Sequence, residues 1–167
     1  MFTADYFIAK LGLEAHIEGG YFREIYRNAR SMEGKCLRPA VEGERSTATT
    51  IYFLLKSGQV SKFHRLTSDE IWFYHYGSPL IIHMLAPDGR LQSQRLGLNI
   101  ENDEMPQIVV PSNTIFGAEV AEENSFGLVG CMVSPGFDYR DFTLFSGEEL
   151  INLYPQHKGI IERLNGE

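Results

Sequence analysis

The chain has 167 residues, 43% of them apolar and 22% charged, with a formal net charge of −7. That length suits one domain with a real core. The negative balance, with no Lys/Arg cluster, argues against a nucleic-acid partner. The first twenty residues lack a basic head followed by a continuous apolar stretch, and no run approaches the ~20 apolar residues that span a bilayer. Cys36 and Cys131 form no CxxC motif. Two reduced thiols in a cytoplasmic protein are therefore expected, with no membrane association.

In chain order, Thr3 caps a short helix over residues 4–11, whose apolar face is Phe7, Ile8 and Leu11 and whose stop is Gly12. His16-Ile17-Glu18-Gly19-Gly20 marks a turn or a close approach of backbone. Residues 21–27 alternate as a first strand, with Tyr21, Arg23, Ile25 and Arg27 on one face. Arg23, and Glu18 before it, are candidates to enter a pocket, while His16 reads as solvated. Residues 29–45 have no period and read as a surface loop, ordered by a partner subunit. Residues 46–55 are rich in Thr, Ile, Tyr and Phe and read as a strand.

Residues 58–77, GQVSKFHRLTSDEIWFYHYG, are two alternating runs around Thr67-Ser68-Asp69 and predict a hairpin. In the second run Glu70, Trp72 and Tyr74 share a face, and His75 lies on the other. A carboxylate shares a face with aromatic residues when that face lines a pocket or offers a partner. His64 is placed to reach across toward Glu70. Further strands follow over 80–85, 91–98, 107–110, 115–120 and 126–133, divided by turn signals such as Pro87-Asp88-Gly89, and an acidic connector covers 100–105. His83 alternates out of the apolar face of its strand. Ser146-Gly147-Glu148-Glu149 is a capping box before a helix over 149–153, and Pro155 starts another with Ile160, Ile161 and Leu164 as its apolar face. Many short strands with intervening turns indicate an antiparallel sandwich or small barrel.

Gly58, His64, Glu70 and Gly77 fall at the spacing of the first cupin motif, with Leu66 where that motif has its second His. Pro111 to Phe116 corresponds to the second motif, with Phe116 at the position of its last ligand. The chain resembles a cupin lacking two of the family's four metal ligands. A narrower resemblance runs through His16–Glu24, Ile51–Leu55, Ser68–Trp72, Val109–Pro111 and Val133–Asp138, and is to a cupin subfamily long catalogued as a domain of unknown function. The resemblance implies an all-β, cupin-type antiparallel β-sandwich or jelly-roll barrel, to which the residues add a short N-terminal helix and two short C-terminal helices. Length and these patterns give one domain over 1–167, with a core of about 19–145 and helical appendages of about 3–12 and 146–165. A homodimer is expected, since cupins commonly form one.

His64 and Glu70 are ligand types for a divalent transition metal and equally an acid/base pair. Leu66 and Phe116 have no lone pair to complete a metal site, so a metal-free pocket is expected; a metal, if bound, would sit on His64 and Glu70. Sugar-nucleotide 3,5-epimerases have a similar fold and need no metal. By that likeness His64 is the base and Tyr74 or Tyr52 the acid, with Phe63, Trp72 and Phe116 lining a cavity for a small molecule. Arg23, Lys62 and Arg65 are the cations available for a diphosphate, without forming a recognisable cradle. The expected function is thus an isomerase or epimerase. A non-catalytic binding or sensing protein is the alternative, and a metal-dependent oxygenase a weaker one.

Overall fold

Alternation of side chains along each strand assigns three separate apolar surfaces, and their partners build the molecule. The computed structural model describes residues 2–34 and 42–165. Its strands are β1 (Glu14–Ala15), β2 (Tyr21–Arg27), β3 (Ser31–Glu33), β4 (Glu44–Ser46), β5 (Thr49–Lys56), β6 (Val60–Leu66) and β7 (Asp69–Gly77). They continue with β8 (Leu80–Leu85), β9 (Leu91–Leu96), β10 (Glu104–Met105), β11 (Gln107–Val110), β12 (Ile115–Val120), β13 (Phe126–Ser134) and β14 (Phe142–Leu144). The helices are α1 (Ala4–Leu11), α2 (Gly147–Leu153) and α3 (Lys158–Asn165). Two six-stranded sheets run β1-β2-β5-β13-β7-β11 and β10-β9-β8-β12-β6-β14, with β3 and β4 as a separate ribbon. Every pairing is antiparallel except the two-residue contact of β10 with β9. This is the expected all-β sandwich.

Inward residues of both sheets, among them Phe53, Trp72, Ile82, Phe116 and Val129, form the central core. The outward residues Phe63 of β6 and Leu85 of β8, with Ile115 at the start of β12, would face water if left bare. Phe63, Leu85 and Ile115 are instead covered by Leu150, Ile161 and Leu164 of α2 and α3. Burial of each such side chain is worth roughly 1.5–3 kcal/mol. On the other sheet Leu54 and Leu128 are covered by Leu13 and the Phe7, Ile8 and Leu11 face of α1. The caps agree with the sequence reading. Thr3 Oγ1 accepts from the Tyr6 amide, Gly12 is left-handed at φ 62°, and Ser146 and Glu149 form a reciprocal capping box.

Two expectations change. Residues 58–77 are not a hairpin: β6 belongs to one sheet and β7 to the other. Residues Thr67 and Ser68 turn a corner of the sandwich, because His64 and Leu66 on β6 must face Glu70 and Trp72 on β7 across the interior. Residues 35–41 of the segment 29–45 lie outside the described residues; its described part carries β3 and the start of β4, with Ser31, Met32 and Glu33 paired to Ser46, Arg45 and Glu44. Arg45 Nε and Nη2 donate to Asp141 at 2.6 and 3.0 Å and pin this ribbon to the body. Cys36 lies outside the described residues; Cys131 is a free, buried thiol.

Candidate functional site

The central core stops short of one end of the sandwich. Beyond Trp72 and Phe53 the inward positions of β6, β7 and β13 carry His64, Glu70 and Cys131, and these line a cavity. Its atom-free space is about 520 Å³ with the open mouth included. Phe22 and Glu24 of β2, with Thr49 and Ile51 of β5, form one wall, and Leu66, Phe137 and Phe142 form the other.

Glu18 enters this cavity because of the glycine that follows it. Gly19 has φ +111°, and a Cβ there would lie 2.0 Å from the Val60 carbonyl oxygen. The missing side chain lets the backbone close on β6, where the Lys62 amide donates to the Glu18 carbonyl at 2.8 Å. Ser61 Oγ then donates to Glu18 Oε1 at 2.9 Å. Glu18 Oε2 is 3.3 Å from His64 Nε2 and 3.5 Å from His16 Nδ1. His16 is held by the Glu18 amide, which donates to Nδ1 at 3.2 Å, and by the edges of Phe22 and Phe142.

The tautomer of His64 follows from its neighbours. Nδ1 lies 2.7 Å from the Lys62 carbonyl, an acceptor only, so Nδ1 carries the hydrogen. The Nε2 lone pair of the neutral ring therefore points at Glu18. The ring is sandwiched between Phe116, 4.1 Å away, and Phe142, 5.3 Å away.

Charges are scarce in this enclosed space. Burial pushes the Glu18 carboxyl up to about 7, against the opposing pull of His16 and the Ser61 hydrogen bond. Burial does the same for Glu70, also to about 7; His64 opposes the rise and the Glu18 charge adds to it. Burial lowers His64, with Glu70 and the Lys62 carbonyl opposing, and lowers His16, with Glu18 opposing. The Cys131 thiol is pushed well up by burial and by the two carboxyls, so it stays protonated. Trp72 Nε1 is buried and makes no hydrogen bond of normal geometry, though it sits near enough to Glu70 to favour its ionised form. Two carboxyls thus titrate around neutral pH beside an imidazole that stays neutral, an arrangement suited to acid/base work.

Of the residues expected at the site, His64, Glu70 and Glu18 meet in the cavity. Trp72 and Phe116 lie beneath it, stacked edge to face at 6.3 Å in the filled core. The others lie elsewhere. Arg23 is on the outer face of β2 and donates to the Leu11 carbonyl at 2.9 Å, closing the end of α1; its neighbours Phe22 and Glu24 point inward instead. Tyr52, paired with Arg23, also faces outward, its ring edge-on to His75. Phe63 is packed under α2 and α3. Tyr74 lies on the far side of Trp72 from Glu70, and its hydroxyl donates to the Gly77 carbonyl. Neither tyrosine lines the cavity. His16, expected in solvent, is a cavity residue with a side chain 7% exposed. The signal for it was the His-x-Glu-Gly-Gly run, which carries both side chains into the site. His83 is on the outer face of its sheet between Ser93 and Glu119.

A metal is the group the cupin resemblance implies, and the donor set does not fit one. Among the described residues no three His, Cys, Asp or Glu side chains converge to hold an ion. Leu66 lines the cavity and Phe116 stacks on His64, both with carbon where a ligand atom would be needed.

Two facing antiparallel sheets, with a histidine and carboxyls between them at one end, define a cupin. Residues 5–145 match the family described as cupin superfamily (DUF985), and the chain belongs to that family. It is 31% identical over 145 residues to the uncharacterized protein YML079W of Saccharomyces cerevisiae, covering 80% of this chain and 71% of the yeast protein. The crystal structure of protein SO0799 from Shewanella oneidensis superposes with a TM-score of 0.90 at 46% identity, covering 99% of this chain and 98% of that one. A hypothetical protein from Leishmania major superposes at 0.91 with 38% identity, covering 99% and 100%. Oxalate decarboxylase of Bacillus subtilis shares the fold alone, at a TM-score of 0.55 and 16% identity, this chain spanning 37% of that one. Among the described residues no helix is long and apolar enough to cross a membrane.

Proposed function

We propose that this cupin is a metal-independent isomerase or epimerase acting on a small carbonyl compound. The observation that carries the proposal is the buried proton-sharing cluster of His64, Glu18 and Glu70 at the cavity floor. His64 Nε2 takes a proton from the carbon next to the carbonyl. The C–H electron pair moves into a C=C bond, and the carbonyl oxygen takes a proton from the Glu70 carboxylic acid. Return of the carbon-bound proton to the other carbon, or to the other face, while a hydroxyl of the enediol or enol gives its proton back to Glu70 and C=O re-forms, gives the isomer with no oxidant or reductant. The Lys62 carbonyl keeps His64 in the tautomer that presents its lone pair, and Glu18 accepts and returns the proton held at Nε2. With Tyr52 and Tyr74 outside the cavity, a carboxyl replaces tyrosine as the acid.

The test is proton exchange. Small hydroxyaldehydes and hydroxyketones are incubated with the protein in deuterium oxide, and loss of the C–H signal next to the carbonyl is followed by NMR. Exchange well above buffer in the natural protein, lost in a folded His64→Ala variant, is expected. Exchange unchanged in His64→Ala would defeat the proposal.

A second reading, a binding or sensing module, is favoured by the apolar wall of Phe22, Ile51, Leu66 and Phe142, which fits ligand retention as well as chemistry. It requires a bound metabolite to be recovered unchanged. For the assembly we propose a homodimer in the cytoplasm. Beyond Phe22 the outer edge of β2 has no ladder partner among the described residues, and Ile25 and Tyr26 on it are 48% and 50% exposed.

A further inference from the structure

The chemistry of the cavity lining also restricts the ligand's charge. We infer that the natural ligand carries an ammonium-type positive charge and neither phosphate nor carboxylate. This rests on the cavity being the working site, as proposed above, and names its substrate class.

The first observation is the sign of the lining. Among the described residues, three carboxyls line the cavity, Glu18, Glu24 and Glu70, and no Lys or Arg does. Among the described residues, Arg27 contacts the cavity lining and is already committed. It donates to both oxygens of Glu24, at 2.9 and 2.7 Å, and to the Phe137 carbonyl at 3.2 Å. Glu24 is neutralised by that pair, which leaves the negative character with the deeper Glu18 and Glu70. Arg23, Lys62 and Arg65, the cations a diphosphate would need, are all outside: Arg23 on Leu11, Lys62 in the groove beside α2, and Arg65 over the Phe145 ring. An anion entering here would meet two carboxyls, two histidines without a charge of their own at neutral pH, and no counter-charge among the described residues.

The second observation is aromatic. Phe22, Phe53, Phe137 and Phe142 contribute four ring systems to the same lining. Ring faces attract cations and repel anions. Phe137 and Phe142, with ring centroids 5.9 Å apart, stand together at the loop end of the cavity. An ammonium passing them reaches the carboxyl of Glu18, beside which no Lys or Arg of the described residues lies. The Glu18 charge adds to the rise of Glu70, which favours the proton on Glu70 and the charge on Glu18. A single site therefore offers an acid for the proposed proton transfer and an anion for the ligand's amine. The substrate class is an amine-bearing carbonyl compound.

Three probes of nearly equal size separate the charges: ethanolamine as its ammonium chloride, ethylene glycol, and sodium glycolate. Each is titrated into the full-length protein at pH 7.5 and constant ionic strength, following the backbone amides of Glu70 and Cys131 by NMR. The expected order of affinity is ethanolammonium, then glycol, then glycolate, with at least a tenfold difference in Kd between the ends. In a Glu18→Gln/Glu70→Gln variant that difference falls below threefold; single Glu18→Gln serves if the double variant does not fold. Glycolate binding as well as ethanolammonium would overturn the inference, as would no response of these amides to any probe. An order that persists in the variant would also overturn it, since it would then reflect the overall charge of −7 alone. The C–H exchange assay reads a different property, so either result can fail without the other.

Discussion

Replacing Glu18 and Glu70 by glutamine should change how stability depends on pH. Both carboxyls are held up to about 7 in the folded protein, from an ordinary value of 4.5, chiefly by burial. A carboxyl raised in this way binds more protons folded than unfolded. Its contribution to stability is fully present below the unfolded value and is lost as pH rises through the folded one. At pH 6.5 each group with a folded value near 7 still contributes on the order of 1 kcal/mol, and at pH 8 almost nothing. The pair therefore gives up on the order of 1–2 kcal/mol across that window, shared between two interacting sites. His83 is held below 6.5 in both proteins and cancels in the comparison, whereas His16 and His64 lose the opposing pull of Glu18 and Glu70 in the variant, fall further below 6.5 and so add to the same trend. Glutamine keeps the shape and cannot ionise. Urea unfolding of both proteins at pH 6.5, 7.2 and 8.0 measures the difference directly. The variant should gain on the order of 1–2 kcal/mol on the natural protein between the ends of the range, and should be the more stable at pH 8. Parallel stability curves would show that the two carboxyls titrate normally, and the acid/base account of the cavity would fall with them.

Gly19→Ala should be severe, at or above about 4 kcal/mol, because its φ of +111° suits only glycine and the added carbon would meet the Val60 oxygen. Thermal unfolding checks the stability, and loss of C–H exchange would show that Glu18 has left the site. Trp72→Ala should cost about 3–5 kcal/mol in a denaturant titration, since Trp72 is 1% exposed among Phe53 and Phe116. Arg23→Ala should cost only about 0.5–1.5 kcal/mol, the worth of its exposed hydrogen bond to Leu11, and should leave exchange at the cavity as it was.

The contrast between Arg23 and His16 shows where sequence reasoning ended. Alternation along residues 21–27 correctly separates Arg23 from Phe22 and Glu24, but it does not say which face is inside. That is decided by β5. Phe53 and Leu55 face the core while Tyr52 and Leu54 face α1, and pairing fixes β2 in the same sense. The same rule misplaced Phe63, because the covering surface of α2 and α3 lies about a hundred residues further along the chain and makes the outer face of β6 as dry as the inner one. Tyr74 does follow Glu70 and Trp72 in its alternation, yet Trp72 stands between it and the cavity. Period cannot express distance along a wall.

Local chemistry in the chain was enough for the caps at Thr3 and Ser146, the stop at Gly12, the strand-and-turn rhythm, and the motif glycines with His64 and Glu70 that mark a cupin. These rest on contacts between near neighbours, which a sequence displays directly. What only the tertiary structure decided is the company those residues keep. It set β6 and β7 in opposite sheets, brought His16 and Glu18 against His64 through the close approach at Gly19, and left every Lys and Arg of the described chain off the cavity wall. Those outcomes follow from long-range strand pairing and burial, which fix the shared protons of the site by excluding water from it.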